Sequence, residues 1–175
     1  TEAIGPLFDV PSLGLMAWDE QRQRLRLLPG SFGARERDIN ACQIGAEDFR
    51  SASARVFATG QGYFHNEVRS DPAYFREFVE LFALDRVLSV PLILTGRPIG
   101  VLHLVNKHGD FTPDDLDRAQ ALAPKIGTVV EIAQAHVRLR SQRRLEEVLA
   151  DIAVALASGV PVKEFLAPAF TEVGF

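Results

Sequence analysis

Cysteine is nearly missing from this chain. The single Cys42 in 175 residues excludes an internal disulfide framework and a multi-cysteine zinc site, and a reducing, cytoplasmic setting follows as the default. Long apolar runs are also missing. None approaches the roughly 18–20 residues needed to span a bilayer, and the N-terminal Thr-Glu-Ala-Ile-Gly-Pro has neither the basic flank nor the apolar stretch of a secretory signal. Basic charge is not in excess: 19 Lys and Arg stand against 23 Asp and Glu, a net charge of −4, which excludes nucleic-acid binding by bulk electrostatics. Of the basic residues only Lys107, Lys125 and Lys163 are lysine; an arginine bias beside abundant alanine suits a GC-rich coding genome. What is present is globular in proportion, 47% hydrophobic and 24% charged. That argues against wholesale disorder, and the length suits one domain, or one domain with a helical appendage.

Residues Leu13–Trp18 read as a buried strand and Arg24–Leu28 as a second strand with one wet face, together an antiparallel hairpin. Residues Ala34–Ala46 show no period and read as loop. Between Glu47 and Thr59, Phe49, Ala52, Val56 and Phe57 fall at helical spacing, and Gly60 stands where a left-handed C-cap belongs. Gly62–Asn66 is a short strand candidate. Asp71-Pro72 then predicts a helix start, with Tyr74, Phe78 and Leu81 on one face and Phe75 beside them. The strongest strand pattern is Val87–Leu94 and Ile99–Asn106 around Thr95-Gly96-Arg97-Pro98, a hairpin in which Pro91 requires an edge or a bulge. Thr112-Pro113-Asp114-Asp115 opens a long helix, with a kink or restart expected at Pro124. Arg138, Arg140, Arg143 and Arg144 interrupt its apolar stripe, which resumes as a coiled-coil-like seam at Leu145, Leu149, Ile152 and Leu156. Ser158–Pro161 ends it, and Lys163–Val173 reads as one more short helix. The sum is α+β: an antiparallel sheet flanked by helices with a long C-terminal helical extension.

Within Ser89–Ala135 the order of pieces resembles the second half of a GAF domain. The pieces are Ser89-Val90-Pro91-Leu92, then Gly96-Arg97-Pro98-Ile99-Gly100-Val101-Leu102, Asn106-Lys107, and Phe111-Thr112-Pro113-Asp114-Asp115 before a long helix. Upstream, Ala54–Gly60 is similar to that family's helix ending in Thr-Gly, and Asn66–Pro72 to its acidic loop. The order and spacing carry the likeness more than any one piece. It implies a GAF-like domain over residues 1–140 whose first helix is missing or truncated. Residues 141–175 then become a connector and the start of a possible second module. The resemblance further implies one sheet face covered by terminal helices and, on the other, a small-molecule pocket.

Several ligand classes can be weighed. Asn106, Lys107, Phe111 and Asp115 fit part of the pattern of cyclic-nucleotide-binding members, but Leu116 stands where an acid belongs. A Lys107–Asp115 ion pair is therefore read as a brace for the helix start. Haem is disfavoured, because Asp71–Leu88 contains no histidine and His103, His108 and His136 read as core or surface residues; His65 is the one candidate left. Bilin is disfavoured because Gln43, not histidine, follows Cys42. A cyclic nucleotide or another small molecule stays open. The expected pocket has apolar walls from Phe64, Tyr74, Phe75 and Phe78 and polar fixings from Ser53, Arg55, Asp71 and Asn106, or else these aromatics simply fill the space. No catalytic order of Ser, His and Asp, no phosphate loop and no metal-spaced cluster appears.

The leading expectation is a non-catalytic sensing and dimerisation module of a bacterial signalling protein. It would homodimerise through the long helices, with no nucleic-acid partner and no membrane span. The alternatives are a small redox enzyme of the free-methionine sulfoxide reductase type using Cys42, and a ligand-free structural spacer.

Overall fold

A computed structural model of the protein describes residues 4–49, 51–72, 74 and 76–158, the side chains of 36, 40 and 41 aside. Its element order is α1 (Gly5–Phe8), β1 (Ser12–Asp19), β2 (Arg24–Leu27), α2 (Glu36–Ala41), β3 (Gln43–Gly45), α3 (Ala52–Thr59), β4 (Tyr63–His65), α4 (Arg76–Leu81), β5 (Val87–Leu94), β6 (Arg97–Val105) and α5 (Pro113–Ala157). Among the described residues the strands form one six-stranded sheet, order β3-β2-β1-β6-β5-β4, and every pairing is antiparallel. The chain divides into two compact units, Thr1–Glu131 and Ile132–Phe175.

The centre of the sheet is the β5–β6 hairpin. Its turn, Thr95-Gly96, has positive φ at both residues (49° and 78°), the type I′ geometry whose twist matches paired strands. Pro91 lies past the end of β4, which pairs only with Val87–Ser89. There β5 has one neighbour, and a register shift follows at Leu92/Ile93, so the missing N–H is accommodated.

Period-two alternation sends the two sheet faces to different layers. Leu88, Val90, Leu92, Leu102 and Leu104 bury one face with Leu13 and Ala17; Phe8, Phe111, Ala119, Ala123 and Val130 cover it. The cover is thus a single helical turn at α1 and α5 as far as Val130, and the Arg118 guanidinium lies 5.3 Å from the centre of the Phe8 ring. The described helix before β1, Gly5–Phe8, is one turn long. On the other face Met16, Leu25, Leu27, Ile44 and Val101 pack with Ile39, Ala54, Val56 and Phe57. Beside them Val87 and Val105 pack with Val68, Val79 and Leu84.

Four local expectations change. Residues Ala34–Ala46 are not all loop: they hold α2 and β3. In β3 only Ile44 is buried between two exposed neighbours, too short a pattern to show a period. The helix expected from Glu47 starts at Ala52; Asp48 accepts the Ser51 N–H at 2.8 Å in a turn, and Phe49 is exposed. Asp71 does not cap a helix: its carboxylate accepts the Tyr63 hydroxyl at 2.6 Å, and α4 begins only at Arg76. Finally, α5 runs through Pro124 without a restart. Pro124 and Gln120, whose carbonyl would have received the absent N–H, both lie on the exposed side, where water can serve that carbonyl.

The second unit contributes the end of α5. Leu145, Leu149 and Leu156 are more than half exposed. The helix expected at Lys163–Val173 lies outside the described residues.

Candidate functional site

The sheet face opposite α5 carries a row in register across four strands. Tyr63 pairs with Ser89, Ser89 with His103, and His103 with Gly14. Above this row is a cavity of about 50 Å³, room for about three to five waters at 10–15 Å³ each. Met16, Leu27, Val87 and Val105 form its apolar floor; Ser51, Ala52 and Ser53 from the start of α3, with Tyr74, Phe78 and Phe82, lie over it; Phe32 and Cys42 complete the wall.

Phe32 owes its place to a tight turn. Ser31 Oγ accepts the Leu15 N–H at 3.0 Å and lies 3.3 Å from the Leu15 carbonyl, to which it donates, pinning the turn to β1. The residue after it is forced into the left-handed region (φ 53°, ψ 15°), rare for a bulky side chain. Its ring then lies on Gly14, where an added Cβ would come within 2.1 Å of it, and 4.9 Å from the Phe82 ring centre.

The polar groups here are hydroxyls and one imidazole. His103 is 5% exposed. Its Nδ1 is 2.8 Å from Ser89 Oγ and its Nε2 3.4 Å from Ser53 Oγ, so a neutral ring with one donor and one acceptor is served on both sides. Burial pushes its pKa down to about 4 from 6.5. Tyr63 and Tyr74 stack with ring centres 6.4 Å apart. Burial, then the neighbouring Asp71, raises the Tyr63 phenol above its ordinary range, and burial does the same for Tyr74. Tyr74 Oη is buried near the Ser89 and Tyr63 hydroxyls but makes no hydrogen bond of good geometry among the described residues. Cys42 is buried; burial first, then the Asp38 charge, pushes its thiol up to about 11, so it stays protonated near neutrality.

The neutral imidazole sets a pH dependence. Between pH 6.5 and about 4 the unfolded chain protonates His103 and the folded chain does not, so stability rises with pH across that window and falls on acidification, by about 3 kcal/mol in full. Urea unfolding of His103→Gln should lack this part of the slope, and a wild-type-like slope in that variant would refute it.

Of the site residues expected from sequence, the structure brings Ser53, Tyr74 and Phe78 to the cavity. Asp71 stands behind Tyr63. Arg55 lines a separate open groove with Thr59, Gln61 and Tyr63. Phe64 packs with the core on the opposite sheet face. Asn106 is occupied in a loop: its Oδ1 accepts the Asp85 N–H at 2.9 Å and its Nδ2 donates to the Ala83 carbonyl at 3.0 Å. Phe75 lies outside the described residues. Phe32, Phe82, Ser89 and His103 are not among the expected site residues, and Cys42, expected only as the thiol of a redox alternative, lies in the wall. Alternation along β6, with Val101, His103 and Val105 on one face, was the signal for His103; nothing local announced Phe32.

The Lys107–Asp115 pair exists, at 2.5 Å, away from the cavity wall. Asp115 is buried and also accepts the Thr112 N–H and hydroxyl, each at 2.9 Å, and a bond from Arg118. Burial alone would raise its pKa, but Lys107, Thr112 and Arg118 together hold it well below the usual carboxylate range.

A sequence model of the GAF domain matches residues 1–131. The chain belongs to the GAF domain family. No curated protein matches it in sequence. Among solved structures it is similar to the GAF domain of an Acinetobacter phosphoenolpyruvate-protein phosphotransferase, at 16% identity over 78% of this chain and 80% of that one, TM-score 0.60. It is also similar to the second GAF domain of DevS from Mycobacterium smegmatis, at 18% identity over 79% and 92%, TM-score 0.55. A third is a type II free methionine-R-sulfoxide reductase from Thermoplasma acidophilum, at 17% identity over 70% and 80%, TM-score 0.54. At these identities the likeness is one of fold. GAF domains are generally sensory and regulatory modules of signalling proteins, and in this GAF domain no described helix is long and apolar enough to cross a membrane.

Proposed function

We propose that this GAF domain is a non-catalytic small-molecule-sensing and dimerisation module of a bacterial, cytoplasmic signal-transduction protein, with pocket occupancy relayed through α5. The observation that carries the reading is the cavity over the Ser89–His103 row. It couples an apolar wall to a few fixed polar groups, the mix that small-molecule sites use. A ligand that prefers one arrangement of the helices over this face would shift the population of that arrangement. The domain organisation goes with it: residues 1–140 as the sensing domain, and 141–175 as a connector that leads toward a second module.

Dimerisation is supported by α5. Leu145, Leu149 and Leu156 are exposed and, with Ile152, recur at spacings of four, three and four, the period that pairs parallel helices. Arg138, Arg140, Arg143 and Arg144 precede this seam and read as a solvated stretch. Light scattering on the purified chain is expected to give a dimer mass. Leu145→Glu with Leu149→Glu is expected to give a monomer of unchanged helical content. A monomeric wild type at high concentration would overturn the dimer.

A redox enzyme using Cys42 is the second reading, favoured by the reductase fold neighbour and by Cys42 lining the cavity. It stands second because attack needs a thiolate and burial keeps this thiol protonated. Reduction of free methionine sulfoxide that Cys42→Ser abolishes would reverse the order.

A further inference from the structure

Taken together, the cavity's lining and its one unserved hydroxyl say what chemistry it accepts. None of its described lining residues is Asp, Glu, Lys or Arg. Its imidazole is already engaged by Ser53 and Ser89. Among these residues a charged ligand would find no counter-charge and would pay a large desolvation penalty. That argues against a cyclic phosphate or any carboxylate. Tyr74 contributes to the wall, and its Oη is out of reach of solvent: the Ser89 and Tyr63 hydroxyls lie near it, but it makes no hydrogen bond of good geometry among the described residues. Buried hydroxyls are almost always hydrogen-bonded, and an exception calls for a cause.

Phe32 supplies the other half. Its backbone holds a left-handed conformation that a bulky residue adopts only when packing imposes it. What holds the ring is a tilted contact with the Phe82 ring and a seat on Gly14 too close for a Cβ. The ring fills space that a planar molecule of similar size would fill as well. At about 50 Å³, the free volume alone is well short of the few hundred Å³ that drug-sized ligands occupy.

Resting on the sensing role proposed above, we infer that the pocket takes a small, uncharged ring compound bearing one hydrogen-bond acceptor. Phe32 gives up its place to the ligand's ring, and Tyr74 Oη donates to the ligand's acceptor. The resting molecule is the closed form, in which an aromatic plug stands in for the ligand and the tyrosine hydroxyl waits without a well-aligned acceptor.

Three probes of matched size separate the parts of this inference: acetophenone (ring and carbonyl), ethylbenzene (ring alone) and benzoate (ring and charge). Binding is followed by titration calorimetry and saturation-transfer NMR on the full chain. Acetophenone is expected to bind about tenfold more tightly than ethylbenzene, the factor of one net hydrogen bond, and benzoate not detectably. Tyr74→Phe removes an unserved polar atom and should fold at least as well; in it the acetophenone preference should vanish while ethylbenzene binding stays. Phe32→Ala, or Gly14→Ala, which drives the ring from its seat, should tighten binding of both uncharged probes. Benzoate binding as well as acetophenone, or a preference unchanged in Tyr74→Phe, would overturn the inference and leave a ligand-binding pocket standing. No binding by any probe, even in Phe32→Ala, would overturn both the inference and the sensing role.

Discussion

Replacing Asp115 with alanine is expected to lower the unfolding free energy by about 3 kcal/mol, the lower end of the range for breaking a buried ion pair from one side. The carboxylate is 2% exposed at its side chain and is met by Lys107, itself 18% exposed. It also accepts from the backbone and hydroxyl of Thr112 and from Arg118. Removal leaves the Lys107 ammonium without its counter-ion and the first turn of α5 without its acceptor. Lys107 can recover some hydration, hence the lower end. In a chain of this length the thermal midpoint should fall by roughly 6–12 °C. The effect should shrink in acid. A carboxylate whose folded pKa is depressed contributes stability that is present above its unfolded pKa, 3.8, and is lost as pH falls toward the folded value. A loss that is small at pH 7, or constant down to pH 2, would show that this cluster does not hold α5 to the sheet.

Gly100→Ala is expected to be more damaging, costing more than about 3 kcal/mol or preventing folding. An added Cβ would stand 2.2 Å from the Met16 carbonyl oxygen. That oxygen belongs to the backbone of β1, and β1 pairs with β6 from Ser12 through Ala17. Relief requires the central strands to separate, beyond the usual 1–3 kcal/mol of an overpacked side chain. Gly14→Ala is the control. Its Cβ meets the tip of the Phe32 ring, which can swing away, so a loss of about 1–2 kcal/mol is expected. Urea midpoints of the two variants should differ clearly. Equal midpoints would mean that β1 and β6 approach less closely at Gly100 than described.

Much of the fold was legible because its central pieces have strong local chemistry. The β5–β6 hairpin has a Gly turn between two β-branched runs, and α5 opens on Thr-Pro-Asp-Asp, so each declares its type and boundary. The weaker pieces did not. The three-residue β3 and the six-residue α2 are shorter than a readable period. Asp71-Pro72 looked like a helix cap because capping and hydrogen-bonding a distant tyrosine use the same carboxylate, and only the tertiary structure chooses. The site was partly legible for the same reason. Tyr74 and Phe78 lie four residues apart in an aromatic segment, and Ser53 stands in α3, whose apolar spacing was readable. Phe32 reaches the cavity from a turn pinned by Ser31 to Leu15, a long-range contact with no sequence pattern. Asn106 looked like a ligand group, yet its positive φ of 56° and three loop hydrogen bonds show an asparagine used for backbone geometry.

The cavity over His103 as the place where this GAF domain meets its ligand is tested most directly by amide NMR during an acetophenone titration. The account predicts saturable shifts concentrated at Gly14, Phe32, Ser53, Ser89 and His103, with the Arg55–Gly62 groove little changed. Shifts confined to that groove or to the α5-covered face, or a spectrum that does not respond at saturating probe, would contradict it.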